Sequence, residues 1–92
     1  MAVVVIQEFE ATPEEYDQVN EKLGDDVPEG AIMHAACDLG GGRMRAVDVW
    51  ESADSYQKFV QERLIPAIAE VNPDAPQAGE PEIRETYDLQ QA

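Results

Sequence analysis

Apolar and polar positions alternate with two different periods along the chain. Residues 2 to 9 are β-branched and apolar before they turn polar, which predicts a strand buried on both faces and therefore central. Residues 31 to 39 and 43 to 51 are strand-like runs joined by three glycines, which suits a tight hairpin. Residues 82 to 89 alternate apolar and polar side chains, as a half-buried or edge strand does.

Two apolar stripes at helical spacing lie between these strands. A capping box beginning at Thr12 precedes the first stripe and Gly24 follows it, so we expect a helix of about three turns. Ser52 is the candidate N-cap of the second helix. Pro66 falls inside the second stripe and should kink or split the helix near residues 64 and 65, because proline lacks an amide hydrogen.

The order strand, helix, strand, strand, helix, strand predicts an α+β fold of the ferredoxin-like βαββαβ type. Right-handed crossovers place both helices on one face of a four-stranded antiparallel sheet and leave the other face bare. The 92 residues are expected to form one domain, 1–92, with a small core. A homodimer is plausible on this ground alone, because a second subunit would bury further surface.

The charge balance is strongly acidic, with 20 Asp and Glu residues against 6 Lys and Arg residues and a net charge of −14. The few basic residues are scattered, so we expect neither nucleic acid nor an anionic membrane surface as a partner. This excess of acid predicts a salt-adapted, halophilic protein, in which self-repulsion is screened. A single cysteine and the lack of a basic leader favour a cytoplasmic location.

The hairpin register brings the only histidine next to an aspartate. If residues 40 to 42 form a three-residue loop, Leu39 faces Arg43, and counting outward places His34 opposite Asp48. The same count places Ile32 opposite Trp50 and puts His34, Asp48 and Trp50 on one face. Asp48 could then orient His34 as a general base toward a phenol or an enol. The alternative is a cross-strand polar pair that only satisfies two buried groups.

Three further residues are predicted to contact substrate. Trp50 could stack on an aromatic ligand, although a single tryptophan at a strand end is more often part of a core. Tyr87 could offer a hydroxyl to the cavity or pack at a dimer interface. Gln7 is a third candidate, and Arg45 and Glu85 are weaker ones.

The sequence predicts no cofactor and no metal ion. One His and one Cys without His-x-x-x-His, Cys-x-x-Cys or paired carboxylate–histidine spacing give no convincing ligand set. Nucleophilic catalysis by Cys37 is not expected, because its parity along the strand directs it to the face opposite His34. A small buried residue is the preferred interpretation of Cys37.

Three segments of the chain have a familiar pattern: Pro-Glu-Gly-Ala-Ile-Met-His-Ala-Ala at 28–36, Arg-Ala-Val-Asp-Val-Trp-Glu-Ser at 45–52 and Arg-Leu-Ile-Pro-Ala-Ile at 63–68. Together they resemble small proteins of the dimeric α/β-barrel superfamily, in particular those classed with the antibiotic biosynthesis monooxygenase domain. The superfamily includes cofactor-independent monooxygenases, polyketide cyclases and haem-degrading enzymes. The helix-borne axial histidine of the haem-degrading branch has no counterpart here, which argues against haem.

The resemblance implies a homodimer whose two sheets pack face to face, with a pocket between each sheet and its helices or within the barrel. The face that carries His34, Asp48 and Trp50 is thereby expected to line a cavity of the dimer. We expect a cofactor-independent, monooxygenase-like enzyme acting on a small aromatic or polyketide-like molecule. The alternatives are a non-catalytic dimeric domain that binds a small apolar ligand and a purely structural interaction domain.

Overall fold

The structure is a computed structural model that describes residues 2–76 and 78–91. Within these residues it has four strands and two helical segments, the second of them divided in three. The strands are β1 (Val3–Glu10), β2 (Ala31–Gly40), β3 (Arg43–Trp50) and β4 (Glu82–Glu85); the helices are α1 (Pro13–Leu23), α2 (Ala53–Phe59) and α3 (Ile65–Val71). The strands form one antiparallel sheet in the order β2-β3-β1-β4. The predicted ferredoxin-like α+β fold and the central position of β1 are confirmed.

Helix α1 begins and ends where its capping residues predict. The Thr12 hydroxyl accepts a hydrogen bond from the Glu15 amide at 3.2 Å, and the Glu15 carboxylate accepts one from the Thr12 amide at 3.2 Å. Gly24 follows the last turn with φ 79°, a backbone conformation that residues with a side chain rarely adopt. These caps fix the start of the helix, and with it the position of Tyr16 in the second turn.

The second helical segment changes its hydrogen-bonding pattern just before Pro66. A π-helical turn, Val60–Leu64, joins α2 to α3, and the Ile65 amide donates to the Val60 carbonyl oxygen five residues back. Proline has no amide hydrogen to continue the α-helical pattern, and a π turn is one way for a helix to absorb such a defect. The predicted break near residues 64 and 65 is therefore a change of helix type rather than a separation into two helices.

The core lies between the sheet and the second helical segment. Val3, Val5, Trp50 and Tyr56 form its buried cluster. The Trp50 ring contacts Tyr56 edge to face, with centroids 5.8 Å apart, and tilts against Phe59 at 5.3 Å. Trp50 is only 3% exposed. Trp50 is therefore a core residue, and its indole also anchors the end of β3.

The β2–β3 hairpin has the predicted pairing in its middle and irregularities at both ends. His34 lies opposite Asp48, as expected. Gly40, not Leu39, lies opposite Arg43, and Ala31, not Ile32, lies opposite Trp50, because the register shifts once at each end of the ladder. Each shift inserts one unpaired residue into β2, in the manner of a β-bulge. The two predicted end pairs are wrong, whereas the pair that matters for the site is correct.

Strand β4 is an edge strand, as predicted, but it ends at Glu85 rather than continuing to residue 89. Beyond it, the Thr86 amide still donates to the Ala2 carbonyl oxygen at 2.9 Å. Tyr87 follows with its side chain fully exposed. The observed strand is thus half as long as the predicted eight-residue strand. Residues 86 to 89, including Tyr87, are not part of it.

The sheet face opposite the helices carries apolar and charged side chains together. We call it the open face; along β1 and β3 it comprises Val4, Ile6, Glu8 and Glu10 with Arg43, Arg45, Val47 and Val49. Arg45 pairs with Glu8 at 2.9 Å, and Arg43 lies 3.8 Å from Glu8 and 3.9 Å from Glu10. In the described part of the chain, no helix is long and apolar enough to cross a membrane.

Candidate active site

A cross-strand pair of polar residues lies at the centre of the site. His34 on β2 and Asp48 on β3 occupy directly opposed positions, and His34 Nδ1 hydrogen-bonds to Asp48 Oδ1. The Asp48 side chain is 12% exposed, whereas that of His34 is 50% exposed. A buried carboxylate therefore holds a ring that reaches solvent, the arrangement in which the carboxylate orients and the imidazole reacts.

The second oxygen of Asp48 is held as well. The Trp50 indole Nε1–H donates to Asp48 Oδ2 at 3.2 Å. An ionised carboxylate only accepts hydrogen bonds, so the neutral His34 ring carries its hydrogen on Nδ1 and leaves Nε2 as an acceptor. Trp50 thus contributes to the site through its N–H group, by fixing the carboxylate, while its ring belongs to the core.

Tyr16 completes the chain of hydrogen bonds from helix α1. Its hydroxyl lies 2.5 Å from His34 Nε2. The two ring planes are nearly parallel, at 9°, with centroids 6.2 Å apart. The distance between the centroids is close to the combined length of the two half-rings and the hydrogen bond between them. The rings therefore lie edge to edge and are not stacked face to face. The Tyr16 oxygen therefore lies close to the plane of the imidazole, on its Nε2 side.

The pKa of His34 is raised above its ordinary value. The largest cause is the hydrogen bond to Asp48; partial burial of the ring works in the opposite direction, and the charge of Asp48 raises the pKa further. The carboxylate thus makes His34 a stronger base than a free imidazole. The pKa of Tyr56 is also raised, first by burial and then by the charge of Asp48.

The structure corrects the expected orientation of this face. His34 meets Tyr16 on helix α1, and Trp50 packs against Tyr56 and Phe59 of α2. The site therefore faces the helices of its own chain rather than a second sheet. The site lies between the sheet and the helices of its own chain, one of the two locations that the sequence left open.

The remaining predicted substrate residues lie outside this chain of hydrogen bonds. Gln7 shares the helix-facing side of the sheet, where its Oε1 accepts from the Tyr56 hydroxyl at 3.3 Å and its Nε2 donates to the Gly79 carbonyl oxygen at 2.6 Å. Tyr87 lies beyond β4. Arg45 belongs to the open face. The structure joins only His34, Asp48 and Trp50 of the predicted set, and the substrate roles of Gln7 and Tyr87 stay predictions.

Sequence reasoning missed Tyr16 as a member of the site. Its position in the apolar stripe of α1 explained it as a packing residue. The available signal was its hydroxyl, which a half-buried tyrosine normally directs to a partner. Finding that partner requires the position of α1 over the sheet, which the residue pattern alone does not give.

Two surface grooves lie on the helix side of the molecule. The larger, of about 400 Å³, lies beside α2 between Pro28 and Arg63, and the smaller, of about 200 Å³, lies between α1 and α3. His34 and Asp48 line neither of them. Across residues 2–76 and 78–91, no group of three or more His, Cys, Asp or Glu side chains is placed to hold a metal ion.

Comparison of the structure with solved structures finds several similar folds. A candidate antibiotic biosynthesis monooxygenase from Chloroflexus aurantiacus superposes with a TM-score of 0.71 at 18% identity, covering 99% of this chain and 98% of that one. SnoaB, a cofactor-independent oxygenase from Streptomyces nogalater, superposes with a TM-score of 0.64 at 14% identity, covering 96% and 95%.

A candidate antibiotic biosynthesis monooxygenase from Deinococcus radiodurans gives a TM-score of 0.59 at 12% identity, covering 100% and 98%. No family model matches the sequence, and no curated protein matches it. At these identities the likeness is one of fold over nearly the whole chain. The resemblance seen in the sequence is confirmed at that level: the chain has the fold of the antibiotic biosynthesis monooxygenase-like proteins.

Proposed function

We propose that this protein is a cofactor-independent, monooxygenase-like enzyme in which His34 removes a proton from a small phenolic or enolic substrate. The observation that carries the proposal is the hydrogen-bonded sequence from Trp50 through Asp48 and His34 to a phenol hydroxyl. The phenol is the chain's own Tyr16, and it shows the geometry that a phenolic substrate would need. The fold similarity to SnoaB, a cofactor-independent oxygenase, supports the same chemistry.

The proposed reaction balances with dioxygen as the only co-reactant. The substrate hydroxyl gives its proton to His34 Nε2, and the resulting phenolate is electron-rich enough at its ring carbons to react with dioxygen. One oxygen atom forms a new bond to carbon, the O–O bond breaks, and the substrate becomes a quinone. The second oxygen atom leaves as water with the proton held by His34 and the hydrogen lost from the oxidised carbon. Asp48 stabilises the imidazolium while it exists.

We propose that the protein acts as a homodimer formed through the open face. Including β4, three glutamates and three arginines project there, so the face is neutral in a chain of net charge −14. They are Glu8, Glu10, Glu82, Arg43, Arg45 and Arg84. Two copies repel one another least when they meet through a neutral surface, and Arg–Glu pairs can exchange across a two-fold axis. The half-buried Val4, Ile6 and Val47 of this face supply apolar area that a second copy would bury.

The second candidate is a non-catalytic dimeric domain that binds a small ligand. It is favoured because Tyr16 and Asp48 together already form hydrogen bonds with both ring nitrogens of His34. In that case the chain of hydrogen bonds would only tie α1 to the sheet. The two candidates differ in whether His34 is needed for turnover or only for affinity and stability.

Dioxygen consumption tests the proposal. We expect the purified protein to consume dioxygen with hydroxynaphthalenes and to form the quinone, visible by its absorption. His34→Gln should lower the rate about 100-fold or more, the usual contribution of a general base. Asp38→Asn is the matched control, because Asp38 lies on the same strand but binds the Gly40 amide. Full turnover in His34→Gln would refute the assigned role of His34.

A further inference from the structure

We infer that Tyr16 is a resident occupant of the position that a ligand hydroxyl must take on His34, so that a ligand binds only when the Tyr16 hydroxyl leaves. This inference rests on the proposed function, since it concerns the same acceptor atom. It gives Tyr16 a role as an internal competitor, which differs from both packing and catalysis. Tyr16 would then set the affinity of the site for phenols without contacting them.

The hydrogen-bonding capacity of the His34 ring is limited. An imidazole has two nitrogen atoms, and each takes part in one in-plane hydrogen bond. Asp48 takes Nδ1, and the Tyr16 hydroxyl lies 2.5 Å from Nε2. His34 is half exposed, so solvent and ligands can reach the ring, but its reactive nitrogen is already engaged. A second hydroxyl can bind Nε2 in the same plane only after the first has moved.

Tyr16 can leave His34 without disturbing the core. Helix α1 has no fully buried residue, and Tyr16 itself is only partly buried. By contrast, Tyr56 on α2 is 6% exposed and packs against Trp50. A half-buried aromatic side chain on a surface helix can change its rotamer without opening the core. Displacing Tyr16 therefore removes one hydrogen bond and leaves the buried cluster intact.

The occupant and the proposed ligand are both phenols. The two ring planes differ by only 9° and the Tyr16 oxygen lies beside Nε2, where the oxygen of a phenol bound to this base would lie. A ligand that arrives as a neutral phenol and gives its proton to His34 suits the site better than one that arrives as an anion, because Asp48 lies directly behind the ring and the chain carries a net charge of −14. The competition is thus between two chemically equivalent hydroxyls.

The test measures the affinity of 4-nitrophenol for the full-length wild type and for three variants. We expect Tyr16→Phe to bind it about tenfold more tightly than the wild type, because one competing hydrogen bond is removed while the ring is kept. Tyr56→Phe is the matched control: it loses a hydroxyl that donates to Gln7, and its affinity should equal that of the wild type. His34→Ala should show no detectable binding of 4-nitrophenol.

The two proposals fail in different ways. Affinity in Tyr16→Phe that is equal to or weaker than that of the wild type, or undetectable in both, overturns the role of Tyr16 as a competitor. Unchanged affinity in His34→Ala overturns the proposed function instead. The ¹⁵N shift of the His34 ring supplies a second readout, because the chain has one histidine. Without ligand, Tyr16→Phe should shift the Nε2 resonance, and an unshifted resonance would contradict the contact on which the inference rests.

Discussion

The imidazole of His34 and the carboxylate of Asp48 face each other across neighbouring strands, with Nδ1 bonded to Oδ1. The two side chains can meet because directly opposed residues share one face of the sheet. The strand pairing therefore holds the imidazole and the carboxylate at a fixed separation, without help from a loop. The proposed proton transfer needs this rigidity.

Replacing the carboxylate should weaken the base. Asp48→Asn removes the charge that raises the pKa of His34 and leaves at most a weaker hydrogen bond to a neutral amide oxygen, while partial burial of the ring remains. We expect the pKa of His34 to fall relative to the wild type. The single histidine allows its ring proton signals to be titrated by NMR without assignment. An unchanged or higher pKa in Asp48→Asn, with the Asp38→Asn control at the wild-type value, would contradict the orienting role of Asp48.

The same shift links stability to pH. The pKa of His34 is higher in the folded than in the unfolded chain, so the protonated ring stabilises the folded state. This stabilisation is fully present below about pH 6.5, the ordinary histidine value, and is lost as pH rises through the raised pKa. The difference in unfolding free energy between wild type and His34→Gln should therefore shrink from pH 6 to pH 9. Urea denaturation at several pH values measures it, and a difference that grows with pH would contradict the sign.

Gly30 should tolerate a side chain less well than a glycine in open space. It precedes β2 with φ 87°, and an added Cβ would lie 2.6 Å from Ser55 Cβ. Gly30→Ala should lower the unfolding free energy by about 2 kcal/mol through backbone strain and overlap. The matched control is Gly24→Ala, which shares a positive φ but meets no atom within 4 Å. Equal losses in both variants would show that the contact with Ser55 is unimportant.

A charge on the open face should separate the proposed dimer. Val47 lies on that face beside the Arg45–Glu8 pair, and Val47→Asp would place an unpaired carboxylate in the interface. We expect sedimentation to report a dimer for the wild type and a monomer for Val47→Asp. Val27→Asp is the control, because Val27 is 77% exposed in the connection before β2. A monomeric wild type at micromolar concentration would overturn the dimer.

Salt should stabilise the protein. With a net charge of −14, the folded chain repels itself, and added ions screen this repulsion. The melting temperature is therefore expected to rise between low and molar sodium chloride. A flat or falling curve would contradict the prediction of salt adaptation.

The sequence predicts the elements and the central pair because both depend on local rules. The capping box at Thr12 and the positive φ at Gly24 set the first helix. Counting from the glycine-rich turn gives the pairing of His34 with Asp48, because the unpaired Leu39 offsets the shift of the turn pair from Leu39 to Gly40. The pairs at the ends of the hairpin were wrong because bulges depend on how the strand twists within the whole sheet.

The contact made by Tyr16 and the position of Tyr87 depend on tertiary structure. The contact from Tyr16 to His34 joins residues 18 positions apart and requires the packing of α1 over the sheet. Alternation alone placed Tyr87 in β4, but the ladder with β1 ends at Glu85 because β1 begins at Val3. A strand can extend only as far as a partner offers hydrogen bonds. Both differences therefore arise from neighbours that are distant in the sequence.

The most direct test of the account is the protonation state of 4-nitrophenol bound to Tyr16→Phe. The visible band of this ligand distinguishes phenol from phenolate, and the ¹⁵N shifts of the His34 ring distinguish imidazole from imidazolium. The account predicts that, near the pH where both free groups titrate, binding converts the ligand to phenolate and His34 to imidazolium together. Asp48→Asn in the same background should reduce the conversion. A ligand that stays a phenol beside a neutral His34 would contradict the claim that His34 is the base.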